Sequence, residues 1–367
     1  RIQRPFLLRV CKAYRTVSFD ALCIIANLPP VHLRVKQILY MREVRRTGEM
    51  ISSDVVIPIQ SPVHQLVHPA KRMVSAVVNP MGSASSTLVS GLAIFTDGSK
   101  TDVGVGAAYV ILQDGVEVKH EVFTLPSYCS VFQAEIYAIL SALKQVDPLV
   151  LVSIFSDSRA GLMAIARPCS EDPLVHEVQN YLKKFSARPR LTWVKAHVGL
   201  AGNERADELA KLAAEGQGVL VQLAAPLSFA KRASCLGLDE AWNDIWTLSG
   251  KGECTRLFFP TLPHRRRAEF LEPDFIVTQF LSGHGKFAGY LTRFRILRNS
   301  ECECNYHTQE PHHLLRSCPA TLNLRSSLNI NLDSPFGSED SFLEFRKYCQ
   351  GVHKLLVWWG TRNDGVI

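Results

Sequence analysis

Four carboxylates punctuate the chain where a side chain is held by an element: Asp97, Glu135, Asp157 and Asp207. Asp97 closes the apolar run in "AIFTDGSK" (93–100), and Asp157 closes "LVLVSIFSD". Both runs read as buried strands. If those strands are parallel neighbours, their carboxyl ends bring both acids to one edge, where open α/β sheets place their sites. Glu135 falls in the first turns of a helix and Asp207 early in another, and both helix starts can face that edge. Taken singly, each acid has an ordinary explanation. Asp97 is a turn residue, Asp157 a helix cap, and Glu135 and Asp207 are solvated helix charges. Taken together, they form a negative cluster with no matching Lys or Arg. Such a cluster is tolerated only if some acids protonate or cations bind. Hard oxygen donors select Mg2+ or Mn2+ over zinc. Two such ions about 4 Å apart can hold one phosphodiester for in-line attack by water.

The elements that must position these acids occupy residues 91–215. "LAIFT", "GVGAAYVIL" and "VEVKHEVFTL" predict three strands, the last two joined across Gln113-Asp114-Gly115, a hairpin signal. "SVFQAEIYAILSALKQV" (130–146) predicts a helix. Ser130 and Gln133 fit a capping box, and Ile136, Ile139, Leu140 and Leu143 share one face. The strand "LVLVSIFSD", a helix at 172–186, the strand "RLTWVKA" and the helix "NERADELAKLAAE" follow. The order β-β-β-α-β-α-β-α describes an α/β fold, a hairpin-led mixed sheet flanked by helices.

Around this block the pattern changes. Residues 4–48 show apolar spacing of three and four, interrupted at Pro29-Pro30, and predict helices. Residues 49–90 are weakly patterned, and "NPMGSASSTLVSG" (79–91) has linker composition. Helical stretches are expected around 229–248 and 286–298. The expected division is a helical segment at 1–78, a linker at 79–90, the α/β domain at 91–218 and a C-terminal region at 219–367. That last region carries a Cys/His patch at 302–318.

The chain has 367 residues, 47% hydrophobic and 20% charged, which is globular composition with two or three domains expected. No apolar run approaches the roughly 20 residues of a membrane helix, and the start lacks the apolar region of a secretory signal. No membrane partner is expected. Residue 1 is Arg, so the chain is expected to be a fragment or a processed product. Ten scattered cysteines are no secreted disulfide framework and favour a reducing compartment; the expected location is intracellular, cytoplasm and nucleus. Charge is uneven. Residues 1–50 carry ten Lys/Arg against three Asp/Glu, whereas residues 91–218 carry twelve against fifteen. The basic start suits a polyanion, and the acidic block needs cations to meet one.

"FTDGSK", "QAEIYAI", "FSDS" and "WVKAHVGLAGNERADELAK" resemble, in order, the four motif blocks of the ribonuclease H family over about residues 91–215. The resemblance implies a five-stranded mixed sheet of strand order 3-2-1-4-5. It implies two-metal cleavage of the RNA strand of RNA/DNA hybrids, with Mg2+ as cofactor and Mn2+ as substitute, leaving 5′-phosphate and 3′-hydroxyl ends. Asp97, Glu135, Asp157 and Asp207 match the family's acidic metal ligands. His197 and Asn203 match the His and Asn of its last block, the His assisting proton transfer or product release. Gly98 leaves room for a backbone or phosphate to approach. Ser99, Ser158 and Gln133 are candidates for contact with substrate, where a 2′-hydroxyl distinguishes RNA from DNA. Cellular members carry an Asn-rich segment where this chain has Val131-Phe132, and no basic insertion precedes the strand at 190.

The flanks resemble parts of LINE-type, non-LTR retrotransposons of the jockey-like group. "LLRVCKAYRTVSFDALCIIANLPPVHLRV" (7–35) is similar to the helical segment after the reverse-transcriptase palm; the ordinary reading is a helical hairpin. No Asp-Asp pair occurs anywhere in the chain, so no polymerase site is expected in it. "FLSGHGKFAGYLTRFRI" (280–296) and "CECNYHTQEPHHLLRSCP" (302–319) resemble the tail of the same polyproteins. Cys302, Cys304, His313 and Cys318 could form a Cys3His zinc site, with His307 or His312 as substitutes. A single residue separates Cys302 from Cys304, tighter than the usual two, and the other reading is free thiols in a surface loop. Arg265-Arg266-Arg267 and Arg293, Arg295 and Arg298 could meet phosphates. The implied partners are an RNA/DNA hybrid, element RNA, target DNA and an upstream reverse-transcriptase domain outside this chain. A catalytically silent nucleic-acid-binding module of the same fold and a DNA-strand-transfer enzyme of the same architecture are the competing readings.

Overall fold

The structure, a computed structural model, describes residues 2–52, 55–63, 74–80, 91–168, 170–327 and 335–363. It divides into two compact units. One combines Arg1–Leu39 with Ser234–Ile367, and the other is Tyr40–Ala233. This division cuts across the expected segments, because the first 39 residues fold with the C-terminal region. Most of the expected linker, residues 81–90, lies outside the described residues.

In chain order, α1 (Gln3–Val10), α2 (Phe19–Ala26) and α3 (Val31–Thr47) are followed by the antiparallel pair β1 (Glu49–Ser52) and β2 (Val55–Pro58). The weakly patterned stretch thus holds two strands and a third, β3 (Val77–Asn79). Then come β4 (Leu92–Lys100), β5 (Val105–Gln113), β6 (Val116–Leu125), α4 (Val131–Lys144), β7 (Ser153–Ser156), α5 (Arg159–Ala166), α6 (Pro173–Leu182), β8 (Arg190–Trp193), α7 (Ala201–Leu212) and β9 (Val219–Leu220). The helix α5 was not expected. The strand β7 is shorter than the apolar run suggests, since Leu149, Val150 and Leu151 are exposed before it.

The sheet has seven strands in the order β3-β8-β7-β4-β5-β6-β9. Its middle five are the expected order 3-2-1-4-5 read from the other end, and a short strand is added at each edge. The expected count of five is therefore corrected to seven. The strands β4 and β5 are antiparallel, and β4 and β7 are parallel with Thr96 opposite Ser156. The next residue on each strand line is Asp97 and Asp157. Parallel register thus sets both acids side by side at one sheet edge.

Alternation along β4 feeds two cores. Ile94 joins Tyr109, Ile136, Ile139, Leu162, Val175 and Leu191 under α4, α5 and α6. Ala93 and Phe95 join Ala108, Phe155, Ala206 and Leu209 under α7, with the Phe95 and Phe155 rings stacked at 5.0 Å. The close approach of α7 to β5 requires Gly106, where a Cβ would lie 2.2 Å from the Ala210 carbonyl oxygen.

The unit of Arg1–Leu39 and Ser234–Ile367 is helical, and after α1 and α2 it holds most of α8 (Leu227–Leu248), then α9 (Glu253–Phe258), α10 (Leu262–Arg267), α11 (Phe275–Ser282), α12 (Ala288–Arg293), α13 (Pro311–Arg316), α14 (Leu322–Ser327) and α15 (Glu339–Asn363). Its core gathers Leu22, Ile24 and Ile25 with Trp242, Trp246, Phe259, Phe280 and Phe345. Arg265 does not face solvent as a phosphate contact would. It is 4% exposed, and its guanidinium donates to the carbonyls of Ile24 (2.9 Å), Ile25 (3.1 Å) and Ala268 (2.8 Å). A cation at the end of α2 is favoured by the partial negative charge of that helix terminus. Arg266 pairs with Asp239 at 2.7 Å. Among the described residues, no helix is long and apolar enough to cross a membrane.

Candidate active site

Asp97 stands within β4, Asp157 directly follows β7, and Glu135 sits in the second turn of α4. These elements bring ligand oxygens of all three acids within 4.8 Å of one another. The start of α4 is fixed by its sequence. The Gln133 amide donates to Ser130 Oγ at 3.2 Å, and the Ser130 amide donates to Gln133 Oε1 at 3.1 Å, a reciprocal cap. Lys100 Nζ donates to the carbonyls of Ser127 (3.0 Å) and Cys129 (2.7 Å), tying the incoming loop to the end of β4. At Gly98 a Cβ would meet the Glu135 nitrogen at 2.6 Å. This glycine is therefore needed to let α4 deliver Glu135 to the sheet.

The electrostatics follow from burial. Asp97 is 5% and Glu135 6% exposed. Burial, and then repulsion by Asp157, pushes the Asp97 carboxyl up to about 7 from 3.8. Burial first, with Asp97 and Asp157 adding to it, raises Glu135 well above the ordinary range. Burial also raises Asp157 despite hydrogen bonds from Asp97 and Asn203. The amide of Gly98 opposes the shift at both Asp97 and Glu135. Glu135 Oε2 is buried without a hydrogen-bond partner. An orphaned buried carboxylate oxygen among like charges is what a divalent cation would satisfy, so the donor set fits Mg2+ or Mn2+.

The remaining expected residues are placed as follows. Asn203 is 3% exposed and donates to Asp157, so it orients a carboxylate. Trp193 Nε1 donates to the Asp157 carbonyl at 3.0 Å and pins the backbone beside it. Ser158 Oγ accepts from the Gly161 amide at 3.2 Å and caps α5. Ser99 is half-buried beside Gly98. Gln133 is spent: besides the cap, its Nε2 donates to the Ala224 carbonyl at 2.9 Å, and it is 1% exposed. It cannot read a 2′-hydroxyl while so engaged. His197 lies in the exposed loop before α7 with φ +56°. Asp207, on α7, is not brought into the group of three. Its Oδ2 accepts from Lys211 Nζ at 2.6 Å, although its charge still raises Asp97 and Asp157. Lys211 was missed in the sequence, where the i,i+4 spacing of "DELAK" is its signal.

The other unit gathers Cys302, Cys304, His313 and Cys318, whose ligand atoms also lie within 4.8 Å of one another. The Cys302 and Cys318 sulfurs are 3.6 Å apart, and Cys304 Sγ is 3.2 Å from His313 Nε2. A tetrahedron with Zn–S near 2.3 Å separates sulfurs by about 3.7 Å, so the donors fit. His313 Nδ1 faces Ser317 Oγ at 3.1 Å, an orienting contact of the kind metal-bound histidines make. Cys302 and Cys318 are 1% and 0% exposed, unlike thiols of a surface loop.

The family model described as RNase H matches residues 90–215. A Pol polyprotein of the type-1 retrotransposable element R1 4 from Nasonia vitripennis is 32% identical over 91 residues, 24% of this chain and 23% of that protein. The corresponding R1 2 polyprotein of the same organism is 25% identical over 31% of this chain and 30% of that protein. An R1 polyprotein of Bradysia coprophila is 29% identical over 28% and 10%. The matched stretch thus spans less than a third of each relative. Among solved structures, RNase H1 of Halobacterium salinarum is 23% identical, with a TM-score of 0.29, covering 33% of this chain and 96% of that one. Residues 90–215 of this chain are a ribonuclease H domain.

Proposed function

We propose that this chain hydrolyses the RNA strand of RNA/DNA hybrids as part of a retrotransposon Pol polyprotein. The observation that carries the reading is the buried trio Asp97, Glu135 and Asp157, with one carboxylate oxygen unpaired. Bound Mg2+ or Mn2+ would supply polarisation of the scissile phosphate and an activated water. The chain's own residues do the rest. Asp97, Glu135 and Asp157 hold the ions, and Asp207 completes one site. Asn203 keeps Asp157 turned toward the trio. Gly98 lets the strand backbone approach, and Ser99 donates to it. Exposed His197 takes or returns a proton at the departing oxygen. Neutralising the trio is also what lets an acidic domain accept a polyanion.

The names of the R1 relatives support the polyprotein context. In that context the partners are element RNA, target DNA and a reverse-transcriptase domain, and the site of action is cytoplasm and nucleus. Cys302, Cys304, His313 and Cys318 are proposed to hold one structural zinc, a reading supported by the convergence of four donor atoms within 4.8 Å of one another. Intact acids speak against a silent binding module.

The test is cleavage of an end-labelled hybrid by the purified chain in Mg2+. Asp157→Asn lowers the rate at least about a hundredfold, because a lost metal ligand removes several kcal/mol of charge stabilisation. A variant as active as the parent overturns the reading. For zinc, elemental analysis returns one equivalent in the parent and none in Cys318→Ser.

A further inference from the structure

Of the four expected acids, Asp207 alone has its carboxylate turned to a cation of its own helix. Lys211 Nζ lies 2.6 Å from Asp207 Oδ2 at i,i+4 spacing, with the Asp207 side chain 21% and the Lys211 side chain 54% exposed. Arg205 and Glu208, on the same helix, are engaged elsewhere: Arg205 meets Glu117 at 3.5 Å and Glu208 at 3.2 Å. Lysine is a compact point charge on a flexible stem, able to satisfy a carboxylate and to leave it. An ion that used Asp207 would have to break or share this pair and would then face the ammonium as a like charge.

We propose that Lys211 is an internal counter-cation for Asp207 that competes with the second divalent ion. The trio of Asp97, Glu135 and Asp157 then binds one ion readily. Asp207 joins a second only at higher ion concentration, and more readily when a polyanionic backbone offers Lys211 another partner. Lys211 is a positioning residue in this scheme, acting through Asp207. The inference rests on the metal-dependent nuclease reading.

The experiment is an Mn2+ titration of the full chain without substrate, with free Mn2+ counted by electron paramagnetic resonance. The parent shows one tighter and one weaker step. Lys211→Gln tightens the weaker step about fivefold, the size of one exposed ion pair that need no longer be broken. It tightens the step at the trio less, because the Lys211 ammonium acts on Asp97 only at longer range. Lys211→Arg behaves as the parent, and Asp207→Asn removes the weaker step from both backgrounds. Raising salt from roughly 50 to roughly 500 mM narrows the gap between parent and Lys211→Gln, because an exposed pair is screened; a merely structural role would not respond in this way. A Lys211→Gln chain whose weaker step is unchanged or weaker, beside an intact tighter step, overturns the inference and leaves the nuclease reading standing. A parent with no saturable step overturns both.

Discussion

Replacing Asp97 by Asn is expected to make the metal-free domain more stable while abolishing its proposed activity. The carboxyl is raised from 3.8 to about 7 by burial and by Asp157. A carboxyl raised in the folded state binds its proton more readily there than in the unfolded chain. Its contribution is complete below about 3.8 and is lost as the pH climbs through about 7. Roughly three pH units at about 1.4 kcal/mol each set an upper limit near ~4 kcal/mol. Sharing of the proton with Asp157 reduces this, so about 2–4 kcal/mol is expected at pH 8 relative to pH below about 3.8. Asn carries no charge at either pH. In divalent-free buffer at pH 8, Asp97→Asn therefore exceeds the parent by about 2–4 kcal/mol; at pH 5 the advantage shrinks to about 1–2 kcal/mol, and the two converge only below about 3.8. Hydrogen exchange at the β4 and β7 amides reads this in the domain itself, without assuming that the two units unfold together. Saturating Mg2+ removes the advantage by binding the parent's folded state. A gain of equal size at both pH values, or none at pH 8, refutes the assignment of strained carboxylates.

Three further outcomes are expected. Asn203→Ala frees Asp157 to rotate and costs about tenfold in both hybrid cleavage and Mn2+ affinity, as outer partners of metal ligands do; unchanged metal affinity would remove Asn203 from the site. Gly98→Ala forces a Cβ to within 2.6 Å of the Glu135 nitrogen. It lowers domain stability by about 1–3 kcal/mol in urea melts and lowers metal affinity with it. Arg265→Met removes a donor from three carbonyls, of which those of Ile24 and Ala268 keep an amide partner, and destabilises the helical unit by about 1–3 kcal/mol in thermal melts. The ribonuclease H domain's exchange rates are unaffected.

How much of this was legible from residues alone depends on how local each cause is. Apolar alternation and glycine-marked turns set β4, β5 and β6, and the Ser130–Gln133 spacing set the start of α4, because these act over a few residues. The acids stood out because a carboxylate at the end of an apolar run is locally costly. The segment fold came from motif resemblance, and the five central strands followed it. What the chain order could not decide depends on partners distant in sequence. The edge strands β3 and β9, three and two residues long, carry no periodic signal and exist because β8 and β6 offer them open hydrogen bonds. Leu149–Leu151 are as apolar as β7, yet fall outside it, where no neighbour pairs with them. Arg265 read as a surface charge until Ile24 and Ile25, some 240 positions away, supplied its carbonyls. Gln133 read as available until Ala224 claimed it. The sequence by itself thus determined which side chains could do the chemistry. The hold of Lys211 on the fourth acid is local, set by i,i+4 spacing on one helix, but tertiary packing alone decided that three acids meet and that both clusters close to ligand distance, because burial and convergence are properties of neighbours in space.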